Sequence, residues 1–368
     1  MKKSRLFLFC HMAAVVALAG CSTARAQEMA APAAPATAVA ARPLPKPSAP
    51  DSFVGKHGQL RVQGTKIVDQ AGQPIALHGM SLFWSQWIGK FYTPETVKWL
   101  KDDWRCTVVR AAMAVGSNGY LNNPEQEKAK VFTVVDACIE QGIYVIVDWH
   151  DHNAEQHQPQ AQAFFAELAQ RYAKYPNIIY ETFNEPLQNA NWSTTLKPYH
   201  EGVIKSIRQH DPDNIIVCGT RVWSQRVDEA ADDPIKAENI AYTLHYYAST
   251  HKQGLRDTAQ KAIDKGICLF VTEFGTSEAS GNGEFNTVEA RSWFDFLDKN
   301  GISWANWSVA DARETSAALK PGAAATGGWA DDVISPSGLF IREELRRKNP
   351  APTAALTGVK QVIPLKKP

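Results

Sequence analysis

The stretch "EQGIYVIVDWH", residues 140–150, joins a helix end, a Gly where a helix can stop in the left-handed conformation, and an Ile-led apolar run. The same junction recurs in "DKGICLFVTEFG", residues 264–275, and "KNGISWANWS", residues 299–308, with Gly142, Gly266 and Gly301 at the turns. A helix that feeds straight into an apolar strand is the return limb of a crossover, so the sheet is read as parallel. Thr93 in "TPET" and Asn123 in "NPEQ", each followed by Pro, mark helix starts. Strand candidates fall at 75–80, 107–112, 144–149, 178–183, 215–218, 240–245, 269–272 and 303–307. That number of strands in roughly 300 residues, with no glycine-rich phosphate loop after the first, favours an α/β fold of the closed (β/α)8 TIM barrel type over an open dinucleotide-binding sheet. Residues 58–77, "GQLRVQGTKIVDQAGQPIAL", carry turn signals at Gln63-Gly64 and Ala71-Gly72 and read as a short N-terminal β-hairpin that plugs the barrel bottom.

Outside the barrel the chain is organised differently. Lys2, Lys3 and Arg5 precede an apolar run over 6–18 that is too short to span a bilayer, the pattern of a signal peptide. It closes on "LAGC", which resembles the bacterial lipobox. Residues 1–20 are therefore expected to be a lipoprotein signal peptide and Cys21 the lipidated N-terminus; cleavage near Ala26 as an ordinary secretory signal is the alternative. Ser22 after the cysteine fits outer-membrane sorting, so the expected location is the cell envelope, anchored by lipid, or the exterior. Residues 21–51 are rich in Ala and Pro and are expected to be an extended tether. Residues 52–347 form the catalytic domain and 348–368 a C-terminal tail. Cys106, Cys138, Cys218 and Cys268 form no C-x-x-C pair and read as buried thiols, with a Cys106–Cys138 disulfide as the other option. Charge is balanced, 39 Lys+Arg against 38 Asp+Glu, which argues against a nucleic acid partner.

In a barrel of this kind the site lies at the C-terminal ends of the strands. Those ends carry Arg110, His150, Asp151, His152, Asn184, Glu185, His245, Tyr247, Glu273 and Trp307. Two of them are glutamates, Glu185 and Glu273, on the fourth and seventh strands, placed to face one another across the mouth. Cleavage of a glycosidic bond needs such a pair, one to protonate the leaving oxygen and one to stabilise charge at the anomeric carbon. Glu181 shares parity with Glu185 but sits about 13 Å deeper along the strand, where a carboxylate must be paired; a structural role is expected for it.

At these residues the sequence resembles glycoside hydrolase family 5, specifically bacterial endo-β-1,4-glucanases, over residues 52–347. The motifs are "LHGMS", "VVRAAM", "GIYVIVDWHDHN", "IIYETFNEP", "LHYYA", "VTEFGTSEASGNG" and "NWS". The resemblance implies a retaining double displacement on β-1,4-glucan with Glu185 as general acid/base and Glu273 as nucleophile. It also implies Asn184 on the sugar 2-hydroxyl, Trp307 beneath the ring, Arg110 and Tyr247 holding Glu273 ionised, and His150 and His245 shaping the cleft. The carboxyl oxygens should then lie about 5 to 5.5 Å apart, with Glu273 depressed and Glu185 raised in pKa. No cofactor or metal is expected, the partner is a β-glucan polysaccharide, and the chain should be a monomer that meets a membrane only through its anchor.

Two positions depart from the family pattern: Phe83 in "GMSLFWSQW" stands where a His usually contacts sugar, and Ala312 where a substrate-binding Lys is usual. Trp84 and Trp87 are expected to supply stacking in compensation. Mixed-linkage β-glucan, glucomannan and xyloglucan are the rival substrates. From other classes, the rivals are a metal hydrolase built on His150 and His152 and a non-catalytic surface glycan-binding lipoprotein; the presence of both glutamates speaks against the latter.

Overall fold

A computed structural model describes residues 42–350. Eight strands close a parallel barrel: β3 (His78–Leu82), β4 (Val108–Ala114), β5 (Tyr144–His150), β6 (Ile178–Glu181), β7 (Ile216–Cys218), β8 (Ile240–Tyr247), β9 (Leu269–Gly275) and β10 (Ser303–Val309), with β10 hydrogen-bonded to β3. All the strands read from the sequence are present, with ends shifted by a few residues, most at the first and at β9. The αβ junctions behave as their glycines require: Gly142 and Gly301 adopt φ of 68° and 59° after helices Pro124–Gln141 and Thr287–Asn300. A Cβ in that region of φ,ψ space would crowd the backbone, so glycine stops the helix at little cost. Thr93 caps helix Pro94–Asp102 by accepting from Thr96 N, whereas Asn123 precedes its helix without a side-chain cap bond.

Alternation along the strands sorts the barrel interior into layers. At the bottom, Val108, Ile146, Ile179, Val217, Ala241 and Phe270 form an apolar cluster. Above them lie Arg110, Asp148 and Glu181, all buried. The top rank carries Ala112, His150, His245, Glu273 and Trp307 at the mouth. The expected hairpin is present as β1 (Arg61–Gln63) and β2 (Lys66–Val68), antiparallel. Leu60 and Ile67 pack into the bottom apolar cluster, so the hairpin does close that end. Its backbone is tied down by Asn239 Oδ1, which accepts from Val62 N at 3.0 Å.

Two expectations meet the described residues only partly, and the reading of the cysteines as buried thiols holds. The tether was expected to run over 21–51, yet 42–51 lies against the barrel. Tyr175 OH donates to Pro45 O at 2.8 Å, Ser48 Oγ to Ile139 O at 2.9 Å, and Arg171 Nη2 to Arg42 O at 3.0 Å. Tyr175 and Arg171 satisfy carbonyls of a Pro-rich segment that cannot pair in a sheet, and Ser48 of that segment donates to a carbonyl of the barrel in return. At the other end Asn349 Nδ2 donates to Arg105 O at 2.8 Å, so the tail begins as part of the fold. The four cysteines are buried and free, which excludes the Cys106–Cys138 bond here. The signal peptide, Cys21 and residues 351–368 lie outside the described residues. Among the described residues no helix is long and apolar enough to cross a membrane.

Ile67 is 2 % exposed in the bottom cluster, far from the mouth. Ile67→Ala is expected to lower the unfolding free energy by about 2–5 kcal/mol while leaving the mouth intact; a urea midpoint that does not move would show that the hairpin is not part of the core.

Candidate active site

The backbone beyond β6 sets the first carboxylate. Asn184 N donates to Trp149 O at 3.2 Å and Glu185 N to Asp151 O at 3.2 Å, so β6 stays attached to the end of β5 after its regular pairing stops. Glu273 comes from within β9, where a register shift between Thr243 and His245 of β8 aligns His245 with Glu273. One oxygen of Glu185 and one of Glu273 lie within 4.8 Å of each other, with a ring nitrogen of His245 inside the same span. This separation matches retention and falls well short of the roughly 6.5–9.5 Å that inversion needs.

The two carboxylates have different partners. Glu273, 4 % exposed, accepts from Arg110 Nη1 at 2.9 Å and from Tyr247 OH at 2.8 Å. Glu185 is more open, with 15 % of its side chain exposed, and meets only imidazoles, His245 Nδ1 at 3.0 Å and His152 Nε2 at 3.2 Å. Arg110 is fully buried and also holds Glu181 through Nε at 2.7 Å, Asp148 through Nη2 at 2.9 Å and Asn184 Oδ1 at 2.7 Å. Glu181, as expected, is a paired structural group. With its oxygen committed to Arg110, Asn184 leaves its buried Nδ2 without a hydrogen-bond partner among the described residues, a donor at the mouth.

Protonation runs opposite to the sequence expectation for both glutamates. Burial alone would raise Glu185, but His152 and His245 outweigh it and hold its pKa at about 2. Burial, and then the charge of Glu185, push Glu273 up against the pull of His245, Arg110 and Tyr247. The expectation weighed Arg110 against one carboxylate, whereas this guanidinium is shared among three. Burial likewise pushes Asp148 up. His245 is raised to about 9 because Glu181 and Glu185 overcome its own burial; its Nε2 reaches Thr272 Oγ1 at 2.9 Å, and Thr272 donates onward to Glu181 at 2.6 Å.

Aromatic residues flank the pair. Trp307 stacks on His150 at 5.2 Å with the planes 2° apart, and Phe83 lies 5.1 Å from Trp307. Trp84 stands edge-on to His150 at 4.0 Å. Trp87 does not touch the carboxylates; 60 % exposed, it extends the row from Trp84 at 5.0 Å. His150 Nδ1 turns to Asp148 at 2.6 Å and His152 to Glu185, so these two rings do not converge as a metal pair.

Sequence reading missed the opposite wall. Val222, Trp223, Gln225 and His251 join Glu185 and Tyr247 around a cavity of about 590 Å3. Val222, Trp223 and Ser224 have φ of 59°, 53° and 57°, a left-handed turn without glycine. Such backbone costs on the order of 1–2 kcal/mol per residue and persists only when over-determined. Here Trp223 N donates to Pro186 O at 2.9 Å and Ser224 Oγ to Asn184 O at 2.7 Å, tying the turn to the segment that carries Glu185. Nothing in "GTRVWSQ" signals left-handed backbone, because glycine is absent from the three positions.

Comparison with known proteins places the chain in a family. Residues 68–313 match the family model described as cellulase (glycosyl hydrolase family 5). The chain is similar to an endoglucanase of Clostridium saccharobutylicum, 46 % identical over 79 % of this chain and 66 % of the relative, and to endoglucanase Z of Dickeya dadantii, 52 % identical over 71 % and 62 %. It thus spans about two thirds or less of the length of these curated relatives. A Cytophaga hutchinsonii structure superposes with a TM-score of 0.81 at 56 % identity, covering 81 % of this chain and 98 % of that one. The catalytic domain of Thermobifida fusca endoglucanase Cel5A, solved in complex with cellotetraose, gives 0.76 at 33 % identity over 80 % and 99 %.

The His245–Glu pairs should be visible in stability. His245 is raised from 6.5 to about 9, so its contribution is complete below about pH 6.5 and is lost as pH rises through about 9. Glu185 is lowered from 4.5 to about 2, so its contribution is present above about pH 4.5 and is lost as pH falls through about 2. The stability difference between wild type and His245→Gln should therefore be flat between these inner limits and shrink on both sides. A difference independent of pH in urea titrations would contradict the pairing.

Proposed function

The chain belongs to the cellulase family, glycosyl hydrolase family 5, and from that premise we propose that it is a retaining endo-β-1,4-glucanase acting on internal bonds of cellulose-type β-glucans. The observation that carries the assignment of roles is the contrast in partners. A double displacement asks one carboxyl group to give up a proton and take one back, and the other to attack as an anionic nucleophile through an oxygen lone pair. Glu185 touches only His152 and His245, imidazoles raised by their carboxylate neighbours that can carry a proton at neutral pH and pass it on. Glu273 touches a guanidinium and a phenol, which do not exchange protons there. Glu185 is therefore the acid/base and Glu273 the nucleophile.

In the first step Glu273 attacks the anomeric carbon as the glycosidic bond breaks. Glu185 delivers a proton to the departing oxygen, leaving a glycosyl ester on Glu273. The proton belongs to the coupled set of Glu185 and the two imidazoles rather than to one atom, so a low value for Glu185 in the free site still leaves protons within hydrogen-bond distance. In the second step Glu185 takes a proton from water, which attacks the same carbon and frees Glu273. Asn184 Nδ2, with no partner among the described residues, suits the sugar 2-hydroxyl, and Trp307 supplies the stacking face. Trp223, which lines the cavity with Glu185 and Tyr247, suits the leaving chain.

Removing each group should give a different signature. Glu273→Gln should abolish turnover of every substrate. Glu185→Gln should lower cleavage of β-1,4-glucan by about 100- to 10,000-fold and spare the release of an activated phenol, which needs no acid. Product sugars followed by NMR should appear first as the β anomer. Full activity in Glu273→Gln, or α product first, would sink the mechanism.

We also propose, from residues 1–21 alone, that the enzyme is held at the cell envelope by lipid on Cys21. The full chain should partition into detergent, and Cys21→Ala should move it to the aqueous phase; unchanged partition would refute the anchor.

A further inference from the structure

The loop after β3 carries Phe83, Trp84 and Trp87, and a charge buried outside the cleft grips it. Glu127 lies on helix Pro124–Gln141 with its side chain 2 % exposed. Its Oε1 accepts from Lys130 Nζ at 2.6 Å and its Oε2 accepts from the hydroxyl of Ser85. Lys130 Nζ also donates to Ser85 O at 2.8 Å. Ser85 Oγ accepts from Ala114 N at 2.9 Å and Ser85 N donates to Ala112 O at 3.2 Å. One serine in the middle of the aromatic loop is thus held at its side chain, its N–H and its carbonyl. Tyr92 OH, within 2.8 Å of both Phe83 O and Ala112 O, fixes the start of the same loop.

An apolar pair of the same volume is often as stabilising as a buried ion pair, so Glu127 and Lys130 ask for a reason other than stability. The reason is what Ser85 separates. Trp84 is edge-on to His150 and 5.6 Å from His152, the ring that meets Glu185; Trp87 continues the row outward, 60 % exposed. Stacking on a sugar depends on ring orientation, and a loop orients an indole only as well as its supports allow.

We infer that Glu127 is a positioning residue for polysaccharide binding: through Ser85 it fixes the shelf of Trp84 and Trp87 against which the chain lies on the Trp307 side of the cleavage point. This rests on the hydrolase reading above. Glu127 touches neither Glu185 nor Glu273, so its loss acts on binding and not on the chemical step.

The test compares cellohexaose dissociation constants, measured by calorimetry in a Glu273→Gln background, with kcat and KM in the otherwise wild-type enzyme. Glu127→Gln should weaken binding about tenfold and raise KM in parallel, with kcat kept within about twofold. Added to Trp84→Ala,Trp87→Ala, it should change binding by less than about twofold, because its effect passes through those rings. Ser85→Ala, which leaves the Glu127–Lys130 pair intact, should give the same pattern and serves if Glu127→Gln fails to fold. Unweakened binding, an equal loss with and without the two indoles, or a fall in kcat alone would overturn the inference. A wild type that releases no product from cellohexaose would defeat the hydrolase reading instead, and the calorimetry would still decide the role of Glu127.

Discussion

One guanidinium organises the centre of this barrel. Arg110 lies in the middle interior layer, fully buried, within 3 Å of carboxylates from β5, β6 and β9. It cannot be deprotonated in a protein, so its charge has to be met where it stands. Three strands that do not all adjoin in the sheet are thereby held in register at one height. The same cation reaches Asn184, immediately before Glu185. The geometry of the mouth is therefore fixed from below, by a layer that substrate never touches.

Sharing has electrostatic consequences. One positive charge cannot keep three buried carboxylates ionised, and the burial that strengthens each contact also favours protons on Asp148 and Glu273. Histidines supply the balance on the other flank, where His245 bridges Glu185 and, through Thr272, Glu181. The mouth is best regarded as a single titrating assembly whose members differ in what they can exchange. This explains how two glutamates so close together can do different work without each carrying the protonation state its task suggests in isolation.

The fold was legible because its signals are local and repeated. Gly142 and Gly301 end helices in the same left-handed conformation, Gly266 follows one residue past its helix cap, and the strands after them are buried on both faces, as a parallel sheet inside a barrel demands. Glu185, Glu273 and Arg110 could be picked out because a barrel presents strand ends at one mouth. Three things were hidden for physical reasons. The docking of 42–51 depends on Arg171 and Tyr175, more than 120 residues away in sequence. The protonation of the pair depends on how many groups share Arg110, which spacing does not reveal. Trp223 reaches the cleft through backbone that its side chains disfavour, so propensity argues against the conformation the chain adopts.

That left-handed turn bears on kinetics as well as shape. An indole on a loose loop would have to surrender its rotational freedom each time a sugar arrived, and the encounter would be weakened accordingly. The backbone that carries Trp223 is already fixed, by Trp223 N on Pro186 O and by the Ser224 hydroxyl on Asn184 O. The entropy was given up once, at folding. For a sugar chain bound as proposed, the backbone beneath that indole would need no further ordering.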